Sequence, residues 1–364
     1  MKQRLANLDD PGAFRKLDRD GMLDRLHEFP DECRKALELA MRFPLPQSLR
    51  EADKVIILGM GGSAIGGDLV ASLAETESTV PMQVYRGYHL PAYVDDRTLV
   101  IGCSYSGNTE ETLTCLRQSV ARGAKTIAIT TGGQLRELAR GANFPAFVYD
   151  YKSPPRAAFP YGFITVLCFM QRLGFVSAAA AGIEQLPYFL VDETKEIEES
   201  LPESGNSAKQ LARFMHDRLA VIYGAEFLSE VAHRWKTQIN ENSKAWAVYE
   251  TLPEMNHNSV VGYEFPPDMK RHVSVIMLES TFLSPRIQLR FEVVKRLLDK
   301  AGIAFKTVSA NGSSPIAQVM STVLLGDYAS YYLAMLNGAE PGPVHAIDYL
   351  KDELARHVPG KGAA

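Results

Sequence analysis

The stretch Val55-Ile56-Ile57-Leu58-Gly59-Met60-Gly61-Gly62-Ser63-Ala64-Ile65-Gly66-Gly67-Asp68 decides the fold. Its four consecutive apolar residues run into glycines and then into a helical pattern. A strand buried on both faces of a parallel sheet hands over to its helix in this way. The order recurs downstream in Met82 to Tyr85, in Thr98 to Gly102 followed by Thr109 to Arg122, in Thr126 to Thr130 followed by Gln134 to Arg140, and in Ala146 to Tyr149. Strands alternating with helices predict an α/β fold with a mainly parallel, doubly wound sheet. Phe159 to Leu173 closes this unit as an apolar helix.

Upstream, Met22, Leu23, Leu26, Phe29, Leu37, Leu39, Ala40 and Met41 recur at helical spacing, giving a helical N-terminal arm interrupted at Pro30. Downstream, an acidic helix begins near Asp192, and Pro202-Glu203-Ser204-Gly205-Asn206-Ser207 reads as a linker. Beyond it the strand-helix order returns. Ala220 to Gly224 leads into a helix over Glu226 to Thr237, His272 to Met277 leads into Pro285 to Ala301, and Phe305 to Val308 follows. The pattern is that of an internal duplication whose second copy has lost most of the glycines. The expected division is 1–45 as the helical arm, 46–190 as a first αβα domain with the ligand loops, and 205–364 as a second αβα domain.

A chain of 364 residues is long enough for about two domains. With 46% of residues hydrophobic and 23% charged, it carries the apolar content of an ordinary globular protein, which excludes disordered, collagenous and disulfide-scaffold classes. The net charge of −4 supplies no field toward nucleic acid or anionic lipid. Cys33, Cys103, Cys115 and Cys168 form no C-x-x-C pair, so reduced thiols are expected and zinc knuckles are not. Residues 1 to 10 lack the hydrophobic run of a signal peptide, and no apolar stretch reaches the roughly 20 residues that span a bilayer. A soluble, cytoplasmic protein is expected.

The glycine-rich turn Gly59 to Asp68 aims unpaired N–H groups and a helix dipole at one point, where an anion belongs. Gly59-x-Gly61-x-x-Ala64 also matches a dinucleotide fingerprint. The acidic ribose contact expected about 20 residues on is missing, however, and Arg86 would suit only a 2′-phosphate, as in NADP. A second loop, Ser104-Tyr105-Ser106-Gly107-Asn108-Thr109-Glu110-Glu111-Thr112, places three small hydroxyls beside another helix start. They suit the oxygens of a phosphomonoester, the alternative being plain N-capping by Ser106 or Asn108. Gly61, Gly62, Ser63, Ser104, Ser106 and Thr109 are therefore the candidate phosphate ligands.

Three further segments carry chemistry. Glu241, between Asn240 and Asn242 and three residues before Lys244, is either a general base or a solvated helix-end glutamate. His257 lies between Asn256 and Asn258, whose amides would fix its tautomer. Arg156 follows Pro154 and Pro155, whose stiff backbone would hold a guanidinium against developing oxyanion charge, or it simply sits at a helix start. His27, His216, His233, His272 and His357 receive no role. No H-x-x-x-H or His/Cys/carboxylate cluster emerges from the sequence, so no metal is expected.

These segments resemble the sugar isomerase (SIS) fold and, within it, the bifunctional phosphoglucose/phosphomannose isomerases. The carriers are Gly59 to Gly66, Ser104 to Thr112, Pro155-Arg156-Ala157, Asn240-Glu241-Asn242-x-Lys244, Pro253-Glu254-x-Asn256-His257-Asn258 and Gly326-Asp327-Tyr328-x-Ser330-Tyr331-Tyr332. The resemblance implies two SIS-type domains and aldose-ketose isomerisation of hexose 6-phosphates through a cis-enediolate, without metal or other cofactor. It further implies Glu241 as the base, His257 as the ring opener, Lys351 near the sugar, and a homodimer in which His257 serves the partner's site. Where relatives commonly read Asp-Pro-Thr-Pro-Val, this chain reads Glu340-Pro341-Gly342-Pro343-Val344, which leaves the balance of glucose and mannose substrates open. Two alternatives remain: a non-catalytic sugar-phosphate sensor, which would keep the loops without needing Glu241, Arg156 and His257 together, and an NADP oxidoreductase.

Overall fold

A computed structural model describes residues 7–356, so His357 lies outside the described residues. Two helices, α1 (Pro11–Leu17) and α2 (Met22–Arg42), lead in. The first sheet comprises β1 (Lys54–Leu58), β2 (Met82–Tyr85), β3 (Thr98–Ser104), β4 (Lys125–Thr130) and β5 (Ala146–Val148), all parallel, in the order β2-β1-β3-β4-β5. Its helices are α3 (Gly62–Ala74), α4 (Glu110–Ala121), α5 (Gly133–Ala142) and α6 (Phe159–Leu173). Then come α7 (Leu186–Lys195) and α8 (Ser207–Met215). The second sheet alternates β6 (Leu219–Ala225), α9 (Ser229–Ser243), β7 (Ala247–Leu252), the single turn α10 (Met269–His272), β8 (Val273–Glu279), α11 (Pro285–Ala301) and β9 (Phe305–Ser309), and α12 (Pro315–Asn337) and α13 (His345–Arg356) follow.

The second sheet is parallel in the order β7-β6-β8-β9. With β6 to β9 taken as counterparts of β1 to β4, the two orders coincide, as a duplicated unit requires. In both sheets the order reverses between the first and third strands of the unit, and in open parallel sheets ligands gather at the carboxyl ends of such a switch point. In the first sheet those ends are Leu58, paired with Gly102, and the two residues beyond it on β3, Cys103 and Ser104. The two loops singled out in the sequence therefore emerge side by side.

Packing explains why the elements hold. Every residue of β3 is buried, because α3 and α6 cover one face and α4 and α5 the other. Ile56, Leu58, Val100 and Ala128 pack on Leu113, Leu116 and Leu135 on the latter side. The approach of α3 to α6 needs Gly66, where a Cβ would lie 2.7 Å from the Phe163 backbone nitrogen. The helix α12 is buried almost all round, between α8, α9, α7 and α2. No helix among the described residues is long and apolar enough to cross a membrane.

Three local expectations are corrected, and one strand, β7, is added to those read from the sequence. Helix α2 continues through Pro30. A proline forfeits one helical hydrogen bond, but here its ring is buried in the stripe formed by Leu26, Phe29, Cys33 and Leu37. Strand β7 has no clear alternation in the sequence, because it is an edge strand with only Ala247 and Leu252 fully buried. The helix after β6 starts with a short 3-10 turn and runs on to Ser243, which puts Glu241 in its last turn. Finally, α7 starts at Leu186, ahead of the acidic residues.

Candidate active site

The glycine turn and the hydroxyl loop form one cradle. Ser63 Oγ accepts a hydrogen bond from the Tyr105 backbone N–H at 3.1 Å, which ties the first loop to the second. Ser104, buried at the end of β3, lies with its Oγ 2.8 Å from Thr109 Oγ1. Ser106 Oγ is exposed and accepts from the Asn108 N–H. Neither α3 nor α4 has a side-chain cap, since their N-cap residues are Gly61 and Thr109 and neither makes a capping bond. Asn108 Oδ1 is instead taken by the Gln134 N–H at the start of α5. Capping thus does not account for the hydroxyls, and two uncapped helix starts converge on the cradle, an arrangement that favours an anion.

Arg156 stands at the edge of this cradle. A Cβ on Gly62 would lie 3.1 Å from the Arg156 Cα, so a glycine there lets the Arg156 backbone come down onto the loop. The residue precedes the helix start, the N-cap of α6 being Ala158, and its side chain is 2% exposed. It crosses to the second half of the chain. Nε donates to Asn242 Oδ1 at 2.6 Å, Nη1 to Glu241 Oε2 at 3.3 Å, and Nη2 to the carbonyls of Pro341 and Gly342 at 2.6 and 2.8 Å. Of the five N–H donors of a guanidinium, four are spent on protein, leaving one on Nη1 beside the Glu241 carboxylate. Burial lowers the Arg156 pKa, opposed by the charge of Glu241.

Glu241, one-quarter exposed, therefore meets solvent on one side and a buried cation on the other. Lys244 joins this cluster as a residue outside the candidates read from the sequence, its signal there being the density of hydrogen-bonding groups around Glu241. It caps α9 in the left-handed region, at φ 53°, and its ammonium donates to the carbonyls of Glu241 and Pro341 at 2.6 and 3.0 Å. Burial of the ammonium, with the Arg156 charge beside it, lowers its pKa to about 8.

Two candidates are not brought to this cluster within one chain. His257 is exposed beyond the carboxyl end of β7, whereas Glu241 precedes that strand. Six residues of strand separate them by about 20 Å at roughly 3.3 Å per residue. The flanking amides do not hold the imidazole either: Asn256 Oδ1 accepts from Arg290 and Asn258 Nδ2 donates to Glu254. Lys351 is exposed on α13, a helix with no buried residue, and makes no hydrogen bond or ion pair among the described residues.

Other residues settle differently from their sequence reading. Arg86 pairs with both carboxylate oxygens of Asp68, so it does not stand free for a 2′-phosphate. Asp68, Glu230 and His233 bring their ligand-type atoms within 4.8 Å of one another, correcting the expectation that no such cluster forms. Asp68 lies on α3 and the other two on α9, a proximity no local spacing reveals. A cavity of about 770 Å³ between the two halves has Asp68, Glu75, Glu226 and Glu230 in its lining and would repel a phosphate dianion.

At Gly342 a Cβ would lie 2.5 Å from Asp20 Oδ2 and 2.6 Å from Asp20 Cβ. The place of a side chain is taken by the turn before α2, and rotating the aspartate does not free it. Gly342→Thr is expected to destabilise the protein by about 1–3 kcal/mol through overpacking, and Asp20→Gly in the same chain should recover much of that. Thermal unfolding of the two variants checks this, and an undiminished midpoint for Gly342→Thr alone would contradict it.

A model of the SIS domain matches residues 48–144, and a model of the bacterial phospho-glucose isomerase C-terminal SIS domain matches residues 204–354. A bifunctional phosphoglucose/phosphomannose isomerase from Caldicellulosiruptor bescii is 39% identical over 335 residues, covering 92% of this chain and 99% of that protein. Its namesake from Aquifex aeolicus is 33% identical over 306 residues, covering 84% and 91%. Among solved structures, the C-terminal domain of glucosamine-fructose-6-phosphate aminotransferase from Francisella tularensis superposes with a TM-score of 0.72 at 16% identity, covering 89% of this chain and 99% of that one. That likeness is one of fold.

Proposed function

The chain belongs to the bifunctional phosphoglucose/phosphomannose isomerase family, and from that premise we propose that it interconverts glucose 6-phosphate and mannose 6-phosphate with fructose 6-phosphate. The observation that carries this reading is the Glu241–Arg156 contact at 3.3 Å beside the hydroxyl cradle. A phosphate sensor needs the cradle but has no use for a carboxylate held against a buried guanidinium.

The substrate phosphate sits in the cradle, held by the backbone of Gly61 and Gly62 and the hydroxyls of Ser63, Ser104, Ser106 and Thr109. A dianion there gains charge-assisted hydrogen bonds and the favourable ends of two helix dipoles. The carboxylate of Glu241 then removes the proton from C2 of the open-chain aldose, leaving a cis-enediolate, and returns it to C1 while the hydroxyl proton passes from O2 to O1. The remaining Arg156 N–H and the Lys244 ammonium face the negative charge that develops on the sugar oxygens. Arg156 is preorganised for this, since its other donors are committed to protein acceptors and require no rearrangement during reaction.

Ring opening falls to His257 of a partner subunit. Within one chain β7 holds His257 and Glu241 apart, and a two-fold dimer in which each chain supplies one of them completes both sites. Lys351, on the outward-facing helix that follows Gly342, belongs to the same shared region. A cytoplasmic homodimer working on free sugar phosphates is the setting this reading implies.

The test is incubation with fructose 6-phosphate in the presence of a chelator, with separate detection of glucose 6-phosphate and mannose 6-phosphate. Both products are expected. Absence of either aldose would overturn the bifunctional assignment, and absence of both would overturn the isomerase reading.

A further inference from the structure

Arg156 is held by a closed ring of hydrogen bonds that runs through residues with no assigned role. Arg234 Nη2 donates to Asp327 Oδ2 at 2.6 Å and to the Arg156 carbonyl at 3.3 Å. Arg156 Nε donates to Asn242 Oδ1, and Asn242 Nδ2 donates to Ser330 Oγ at 2.9 Å. Ser330 Oγ donates to the Asp327 carbonyl at 2.7 Å, which closes the ring. Gln238 donates to the second Asp327 oxygen at 2.9 Å, and the Arg234 guanidinium lies 4.1 Å from the centre of the Phe159 ring. Two elements of the second half, α9 and α12, thereby grip both the backbone and the side chain of a residue contributed by the first.

We propose that the buried Arg234–Asp327 pair, closed through Ser330 and Asn242, is a positioning device that sets the Arg156 guanidinium against Glu241. Stability is a poor reason for such a pair. Arg234 and Asp327 are 1% and 3% exposed, and burying two charges takes back most or all of their attraction, so well-packed apolar residues often do as well. Burial pushes the Asp327 carboxyl above its usual range, with Arg234 and Gln238 pulling it back. The Arg234 Nε–H has no acceptor among the described residues, a further cost that an apolar pair would not carry. What an apolar pair cannot supply is direction: a donor to the Arg156 carbonyl and an acceptor chain leading back to its Nε. Reactions that depend on a charge facing an oxyanion lose about 10²-fold in rate for a misplacement of about 1 Å.

The inference rests on the isomerase reading of the site, and wild-type turnover of fructose 6-phosphate serves as the control that separates the two. Two changes open the ring in different ways. Ser330→Ala removes one neutral link and keeps the ion pair. The double substitution Arg234→Met with Asp327→Leu replaces the pair by apolar side chains and keeps the volume filled. Both are measured for thermal midpoint, kcat and KM with the full-length protein. The double variant is expected to unfold near the wild-type midpoint yet to lose about 10²-fold in kcat with KM unchanged. Ser330→Ala should lose kcat to a smaller extent, again without a change in KM. Wild-type kcat in the folded double variant, or in Ser330→Ala should the double variant fail to fold, would overturn the positioning role. An inactive wild type would instead strike at the isomerase reading itself.

Discussion

Replacing Glu241 by glutamine is expected to lower kcat by about 10²-fold or more while KM changes little. The amide keeps the shape of the carboxylate, and its carbonyl oxygen can still accept from Arg156 Nη1, now 3.3 Å from Oε2. What it lacks near neutral pH is basicity, so the proton at C2 has nowhere to go. The proposed phosphate cradle lies at the ends of β1 and β3 of the first sheet and is untouched by a change at the end of α9. Turnover near the wild-type level in a folded Glu241→Gln protein would remove Glu241 from the mechanism.

His257→Ala is expected to reduce turnover of hexose 6-phosphates by an amount on the order of 10²-fold, for a different reason. Hexose 6-phosphates rest mainly as closed rings, and opening them requires a proton to move between the ring oxygen and the anomeric hydroxyl. An open-chain hydroxyaldehyde phosphate, too short to form such a ring, bypasses that step. It should be spared by His257→Ala but not by Glu241→Gln. Equal losses on both kinds of substrate would mean that His257 does something other than open rings.

The same two variants test the shared site. In the proposed homodimer, unfolding Glu241→Gln and His257→Ala chains together and refolding them makes half the dimers mixed, and each mixed dimer holds one site with both residues intact if His257 acts across the interface. Roughly a quarter of wild-type activity should return under the two-fold arrangement. No recovery, with mixed dimers shown to form, would place His257 and Glu241 in the same chain's site. That outcome would require the segment around His257 to move by about the length of β7.

Local sequence determined the strand-glycine-helix units, the two loops at the sheet edge and the duplicated order. Each is written within a window of about a dozen residues, where backbone propensity and apolar periodicity act. The same held for the chemistry of single segments: a glutamate crowded by amides, and hydroxyls beside a helix start. Tertiary structure alone decided which segments meet. Arg156 reaches Glu241 and the carbonyls of Pro341 and Gly342 because α6 and α9 both pack on α3 and α12 packs on α9. The Arg234–Asp327 pair joins residues 93 apart in sequence. Asp20 fills the space over Gly342 from a turn at the other end of the chain. The continuation of α2 through Pro30 likewise came from burial of its apolar face, which outweighs one lost hydrogen bond. Neither the spacing nor the residue types within any window encode those contacts, because they arise from the way whole elements pack and from where the closing of a core leaves charged side chains to find partners.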